Sequence, residues 1–289
     1  MLLVTLPHEL QCAIFAWIPI RNCFQLRLLA KSFSNFITSR HFLIANLTQV
    51  MSRPTDQTDA KTFETGLDTL FFKAHPMIQK VYAEFALNQW KQLEWSAWVV
   101  DCQLPTAIGA LSKVVNIDLS FCELKGPIPA EVGGMSALKE LYVHQNSLTG
   151  QIPMEFGLLS SNLRVLDLSD NLLSGNIPWE LGNLTSLNCL YLSQNRLSGS
   201  IPASLFTLTK LRDLYIDRNE LSGQIPSNIN ECVELRWLHL YKNRLSGPIP
   251  FEIKKLRHLE SCEFRGNPEL TMDFEFFVIQ LEGDVDELE

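Results

Sequence analysis

The sequence predicts an α/β chain in two parts, a small N-terminal module of three helices followed by a curved solenoid with a parallel β-sheet on its concave face. Three observations carry that prediction. Near-copies of one phrase, "LKGPIPAEV", "LTGQIPMEF", "LSGNIPWEL", "LSGSIPASL", "LSGQIPSNI" and "LSGPIPFEI", recur through the second half of the chain. Inside each copy a Leu-x-Leu pair alternates with period two, as a short strand does. Residues 5–42 lack the repeat and space their apolar side chains for helices instead.

In the N-terminal module, Leu6, Leu10, Ile14, Trp17 and Ile18 fall at helical spacing, with Pro7 near the helix start and Pro19 just past its end. Asn22 can cap a second helix bearing Phe24, Leu26 and Leu29, and Ser32 or Ser34 can start a third with Phe36 and Ile37 inward. A module of about forty residues buries too little to stand alone, so several of these side chains need an outside cover. Residues 46–86 read as a connector: "SRPTDQTDAKT" is polar and expected to be loose, while "LDTLFFKAHPMIQKVYAEF" has helical spacing around Pro76.

Setting the Ile-Pro pairs in register aligns Pro129, Pro153, Pro178, Pro202, Pro226 and Pro250 at intervals of 24 residues, with one of 25. The strands fall at 115–119, 140–144, 165–169, 189–193, 213–217, 237–241 and 261–265. The Asn that follows them (Asn146, Asn171, Asn195, Asn219, Asn243, Asn267) turns the chain and can bond the backbone of the neighbouring coil. The Gly of each copy permits a positive-φ bend. Ile-Pro then forces an extended segment along the back. One unit cannot bury its own apolar positions; stacking does, with strands about 4.8 Å apart. The solenoid is expected over 87–270, with 87–110 a degenerate capping coil that places Trp90, Leu93, Trp95 and Trp98 at apolar positions. Residues 271–289 should form a C-terminal cap, with Phe274, Phe276 and Phe277 over the last coil, and an acidic tail.

Charge narrows the function. The net charge is −8, and residues 273–289 hold seven Asp/Glu and no Lys or Arg, leaving −8 + 7 = −1 for the rest. Nucleic-acid binding driven by bulk charge is therefore not expected. The apolar N-terminus lacks a basic n-region and is interrupted by Pro7, His8, Glu9 and Gln11, so neither a signal peptide nor a membrane span is expected. Seven cysteines, an odd number without a C-x-x-C, fit reduced thiols and a cytoplasmic or nuclear location. The six His are scattered, and no zinc-protease, nucleophile-elbow or phosphate-loop motif occurs. The expectation is a non-enzymatic binding protein with no metal and no cofactor.

The repeat L-x-x-L-x-x-L-x-L-x-x-N-x-L-x-G-x-I-P, over roughly 111–270, closely resembles the plant-type leucine-rich repeat. Cys122 departs from it at the first Asn position and Cys232 at an opening Leu. "LPHELQCAIFAWIPIRNCFQLRLLAKSFSNFITSRHF", within 1–45, resembles the F-box, with Asn22 and Ala30 as departures. That resemblance implies docking on the Skp-type adaptor of a cullin–RING (SCF-type) ubiquitin ligase through Leu6, Pro7, Leu10, Ile14, Pro19 and Leu26, with the repeats holding the protein substrate. An ordinary helical cap on the solenoid is the plainer reading of the same residues. The rival class is a secreted or receptor-type ectodomain, which calls for a cleavable signal, paired capping cysteines and sequons; the sequence shows neither of the first two, and two sequons occur, at Asn46 and Asn183. A third class, an intracellular protein-binding scaffold with no ligase link, differs only in failing to bind the adaptor.

Positions flanking the inward Leu pair point out of the sheet. They put Tyr142, Asp167, Tyr191, Tyr215 and His239 in one column, with Trp237 and Tyr241 beside it. Arg164, Arg212 and Arg236 run along one edge, and Arg196, Arg218, Lys242 and Arg244 along the other. Aromatic anchors between arginine rows imply an acidic or phosphorylated peptide. Coils near the N-terminus offer Asp118, Glu123, Glu140 and Asp170 instead, and Asp213, Asp217 and Glu220 lie among the basic residues and can neutralise them. A solvated surface with aromatics suited to strands is the bland alternative.

Overall fold

The computed structural model describes residue 44 and residues 60–62, 68–74, 76–159 and 162–271. Among these, nine strands form one parallel sheet: Ala60–Thr62, Gln92–Glu94, Asn116–Asp118, Glu140–Tyr142, Val165–Asp167, Cys189–Tyr191, Asp213–Tyr215, Trp237–His239 and Ser261–Glu263. Equivalent residues of successive coils pair without slippage, so Leu141, Leu166, Leu190, Leu214 and Leu238 form a single inward column, each at most 1% exposed. The strands stand where the repeat predicts, but each is three residues long rather than five. They end early because the chain turns through the left-handed region at Gln145, Asp170, Gln194, Arg218 and Lys242.

The repeated Asn closes each turn. Asn171 is buried; its Nδ2 donates to the Val143 carbonyl of the preceding coil at 3.0 Å and to Leu168 at 3.2 Å, and its Oδ1 accepts from the Leu148 amide at 3.0 Å. Asn195, Asn219, Asn243 and Asn267 repeat this pattern. Backbone groups that a tight buried turn would strand are thereby satisfied. At the first such position Cys122 keeps part of the role, its thiol 3.0 Å from the Trp95 carbonyl. Cys232, at a Leu position, likewise points its thiol at the Leu208 carbonyl, 3.1 Å away.

A second parallel sheet follows the Asn turns, with seven strands among the described residues, from Lys125–Pro127 to Glu269–Thr271. The sequence reading placed only a bend there. The bend is present, with Gly199 at φ +75°, but the residues before it also pair from coil to coil, Ser198 with Glu220 and Gly199 with Leu221. After each Ile-Pro the chain forms a short 3-10 turn, such as Ala130–Gly134 or Trp179–Asn183, with proline at the N-cap. Successive turns pack closely enough that a Cβ on Gly133 would lie 2.4 Å from the Glu155 carbonyl oxygen.

The segment read as a connector is the solenoid's N-terminal cover. Ala60–Thr62, in the stretch expected to be loose, pairs in parallel with Gln92–Glu94 and extends the inner sheet. Helices Thr69–Lys73 and Pro76–Tyr82 and a π turn at Ala83–Leu87 follow. Phe71 and Phe72 bury their rings against Trp95, with centroids 5.8 and 5.5 Å away. The Tyr82 hydroxyl donates to buried Asp68 at 2.7 Å. Without this cover the first coil would expose its apolar end to water, which is why repeat arrays need caps. Trp98, assigned to the interior from its spacing, is 41% exposed. Apart from residue 44, the helical module expected over 1–45 lies outside the described residues, as do its adaptor-binding residues and the phenylalanines expected to cap the last coil.

Candidate ligand-binding face

The outward residues of the inner sheet meet as the register dictates. Asp118 pairs with Tyr142, Tyr142 with Asp167, Asp167 with Tyr191, Tyr191 with Tyr215 and Tyr215 with His239. The predicted column is therefore real. Its C-terminal half is a ladder of rings: Tyr191 and Tyr215 have centroids 5.0 Å apart, and Tyr215 stacks on His239 at 4.2 Å with 8° between planes. Tyr241 meets His239 edge-on at 6.3 Å, and Trp237 is 37% exposed beside them. These spacings suit offset or edge-to-face aromatic contact.

Next to the ladder runs a shallow groove of about 450 Å³. The predicted Asp167, Tyr191, Tyr215, His239 and Tyr241 line it with the acids Asp170 and Asp217, together with His144, which the reading did not place on this face. Three carboxylates, those of Asp167, Asp170 and Asp217, lie among its lining residues. Asp217 is buried and accepts from Ser193, and His144 Nδ1 lies 3.1 Å from Asp167. Burial, and then Asp167 close by, holds the Asp170 carboxyl above its ordinary range. One column over, Asp213 accepts from the Tyr191 hydroxyl at 2.8 Å. Burial and that acid both push the Tyr191 phenol upward, so it remains a protonated donor. Burial, with Glu140 beside it, pushes Tyr142 up to about 12.

The arginine rows differ from expectation in what they face. Arg236 pairs with Glu260 at 3.0 Å, and Arg244 with Glu220 at 2.9 Å. Arg218 donates to the Tyr241 hydroxyl at 3.1 Å, lies over that ring and approaches Asp217 at 3.9 Å. Arg212 is exposed at the edge. Three of the seven cations in those rows, Arg218, Arg236 and Arg244, therefore face acids of the chain. The pairs were readable in principle, because Arg236/Glu260 and Glu220/Arg244 are one period of 24 residues apart.

Comparison with known proteins agrees with the repeat fold. Family models described as leucine rich repeat match residues 137–159, 161–221 and 234–256. The described solenoid is a leucine-rich-repeat fold. Nothing found supports the F-box resemblance. A search of curated proteins returned no match. Among solved structures, the plant peptide hormone receptor RGFR1 in complex with RGF2 is 31% identical with TM-score 0.62, covering 67% of this chain and 30% of that one. The Arabidopsis receptor kinase HAESA ectodomain, in complex with an extended IDA peptide hormone, is 32% identical with TM-score 0.59, covering 68% and 32%. The PEPR1–AtPEP1 structure is 27% identical with TM-score 0.53, covering 74% and 33%. The chain thus spans about a third of the length of each of these proteins.

Proposed function

We propose that the chain is a non-enzymatic recognition module that binds an extended peptide, or an extended segment of a partner protein, across the outward face of the inner sheet. The observation that carries this is the open ring ladder from Tyr191 to Tyr241, which no other part of the described chain covers. Stacked rings on a rigid sheet offer contact area at little entropic cost, as binding anchors do. The similar receptor structures carry peptide hormones, which supports the same use of this face. The test is peptide selection from a random display library against the full chain. Selected peptides should lose binding on Tyr215→Ala and His239→Ala and keep it on Trp179→Ala, whose exposed ring lies outside the inner sheet. Loss only on Trp179→Ala would move the site off this face.

The ubiquitin-ligase role is a second reading, and the sequence pattern of residues 5–42 is what favours it. In that reading the recognised segment belongs to a substrate, and binding acts by raising local concentration near the ligase. Co-purification with a Skp-type adaptor, lost on changing Leu10 and Ile14 to charged residues, tests it. The unpaired state of Cys102, Cys122, Cys189, Cys232 and Cys262 supports the cytoplasmic or nuclear location proposed with it.

A further inference from the structure

We infer that the ligand of this face is a cationic peptide, with Lys or Arg side chains over the acidic coils and an apolar or aromatic side chain on the ring ladder; this rests on the peptide-binding reading above. The two halves of the face differ. From the coil of Asp118 to that of Asp167 the outward positions are Asn116, Asp118, Glu140, Tyr142, Val165 and Asp167, acidic or acceptor-bearing except Val165, and Asp170 follows on the turn. Within that end Asn116 keeps a buried Oδ1 that accepts from no donor. From Tyr191 onward the rings take over, and Asp217 lies beneath them as a second acidic point.

Charge complementarity selects the partner. His144 is the base set against Asp167, and Arg218 is turned onto Tyr241 and Asp217. Arg236 and Arg244 are engaged with Glu260 and Glu220 at the edges. The carboxylates of the acidic half therefore outnumber the bases that face them. Asp170, raised by burial and by Asp167, is a carboxyl whose charged form a nearby cation would relieve. A cation over the rings is also favoured, because Tyr faces carry negative potential. An anionic or phosphorylated segment would meet repulsion over the acidic coils.

Size sets the length. Six strands separate Asp118 from His239 by five spacings, so about 24 Å at roughly 4.8 Å each, or about seven residues of extended peptide at ~3.3 Å per residue. A segment of that length can hold two cations and one anchor.

The experiment sequences peptides selected on the full chain from an unbiased random ten-residue library, against selections on an Asp167→Asn/Asp170→Asn variant and on Tyr215→Ala. The inference expects wild-type pools enriched in Lys and Arg and affinities that fall at least tenfold between low and high salt. It also expects the double Asn variant, verified as folded by its melting curve, to lose that enrichment. Neutral or acidic pools that depend on Tyr215 would overturn the inference while leaving the peptide-binding reading in place. Pools indifferent to all three substitutions, or no enrichment at all, would overturn both.

Discussion

Asn195 and Leu168 lie 27 positions apart in sequence and are joined by a buried 3.0 Å hydrogen bond from the amide Nδ2 to the Leu168 carbonyl. The same side chain accepts from the Leu173 amide at 3.0 Å and donates to Leu192 at 3.2 Å. Replacing Asn195 by Leu strands the buried Leu173 amide, while the Leu168 and Leu192 carbonyls keep one bond each, from Asn171 and Asn219. A loss of about 1–3 kcal/mol, the cost of one unsatisfied buried group, should appear in urea unfolding. An unchanged midpoint would mean the ladder adds nothing to coil stacking.

The leucine columns make a separate prediction. Leu168 is fully buried, and Leu168→Ala removes its transfer free energy and opens a cavity between coils that the stacked strands cannot collapse. The expected cost is about 2–5 kcal/mol, read from the same denaturation curves.

Neighbouring glycines should behave oppositely. A methyl group on Gly133 would meet the Glu155 carbonyl oxygen at 2.4 Å, whereas on Gly134 the nearest atom is 3.5 Å away. Gly133→Ala should therefore destabilise by about 1–3 kcal/mol through overpacking. Gly134→Ala should be neutral or add about 0.4–1 kcal/mol by restricting the unfolded chain. Equal effects at the two sites would contradict the close approach of the 3-10 turns.

The buried thiols should be inert. Burial pushes Cys232 up to about 12 and Cys122 up to about 11, so little thiolate exists near neutral pH. Site-resolved iodoacetamide labelling followed by mass spectrometry should find both unmodified in the native protein and rapidly modified in urea. Fast native labelling would mean these coils open locally.

Asp170 gives a pH signature. Its folded pKa is raised, by burial first and then by Asp167, so the protonated form favours folding. That stability is present below the unfolded pKa and is lost as pH rises through the folded one. Asp170→Asn keeps a residue tolerant of the left-handed turn at φ 51° and removes the charge. It should melt slightly higher than wild type at neutral pH, by under about 1 kcal/mol for a half-buried group partly screened by solvent, and equal it in strong acid. Such a variant would gain stability while losing ligand, as sites built for binding do.

Much of this was legible in the sequence because the period repeats one physical instruction. Leu-x-Leu followed by Asn located the inner strands, the buried columns and the amide ladder, and alternation alone put Tyr191, Tyr215 and His239 on one face. The second sheet was not legible, since segments such as Arg196–Gly199 carry one buried Leu among polar residues and show no alternation. The N-terminal cover was missed for a similar reason. Ala60–Thr62 is polar, and only its pairing with Gln92–Glu94 makes it a strand. Glu220 was legible as a neutralising acid and pairs with Arg244, whereas Glu260, the partner of Arg236, shows only when residues one period apart are compared.

Photo-crosslinking of a selected peptide most directly tests recognition on the inner sheet. A photoreactive phenylalanine derivative would replace Tyr215 in one protein and Trp179 in another, both otherwise full length. Crosslinks to the peptide through position 215, competed by excess unlabelled peptide and absent at position 179, are the predicted result. Crosslinking through position 179 and none through 215 would contradict it.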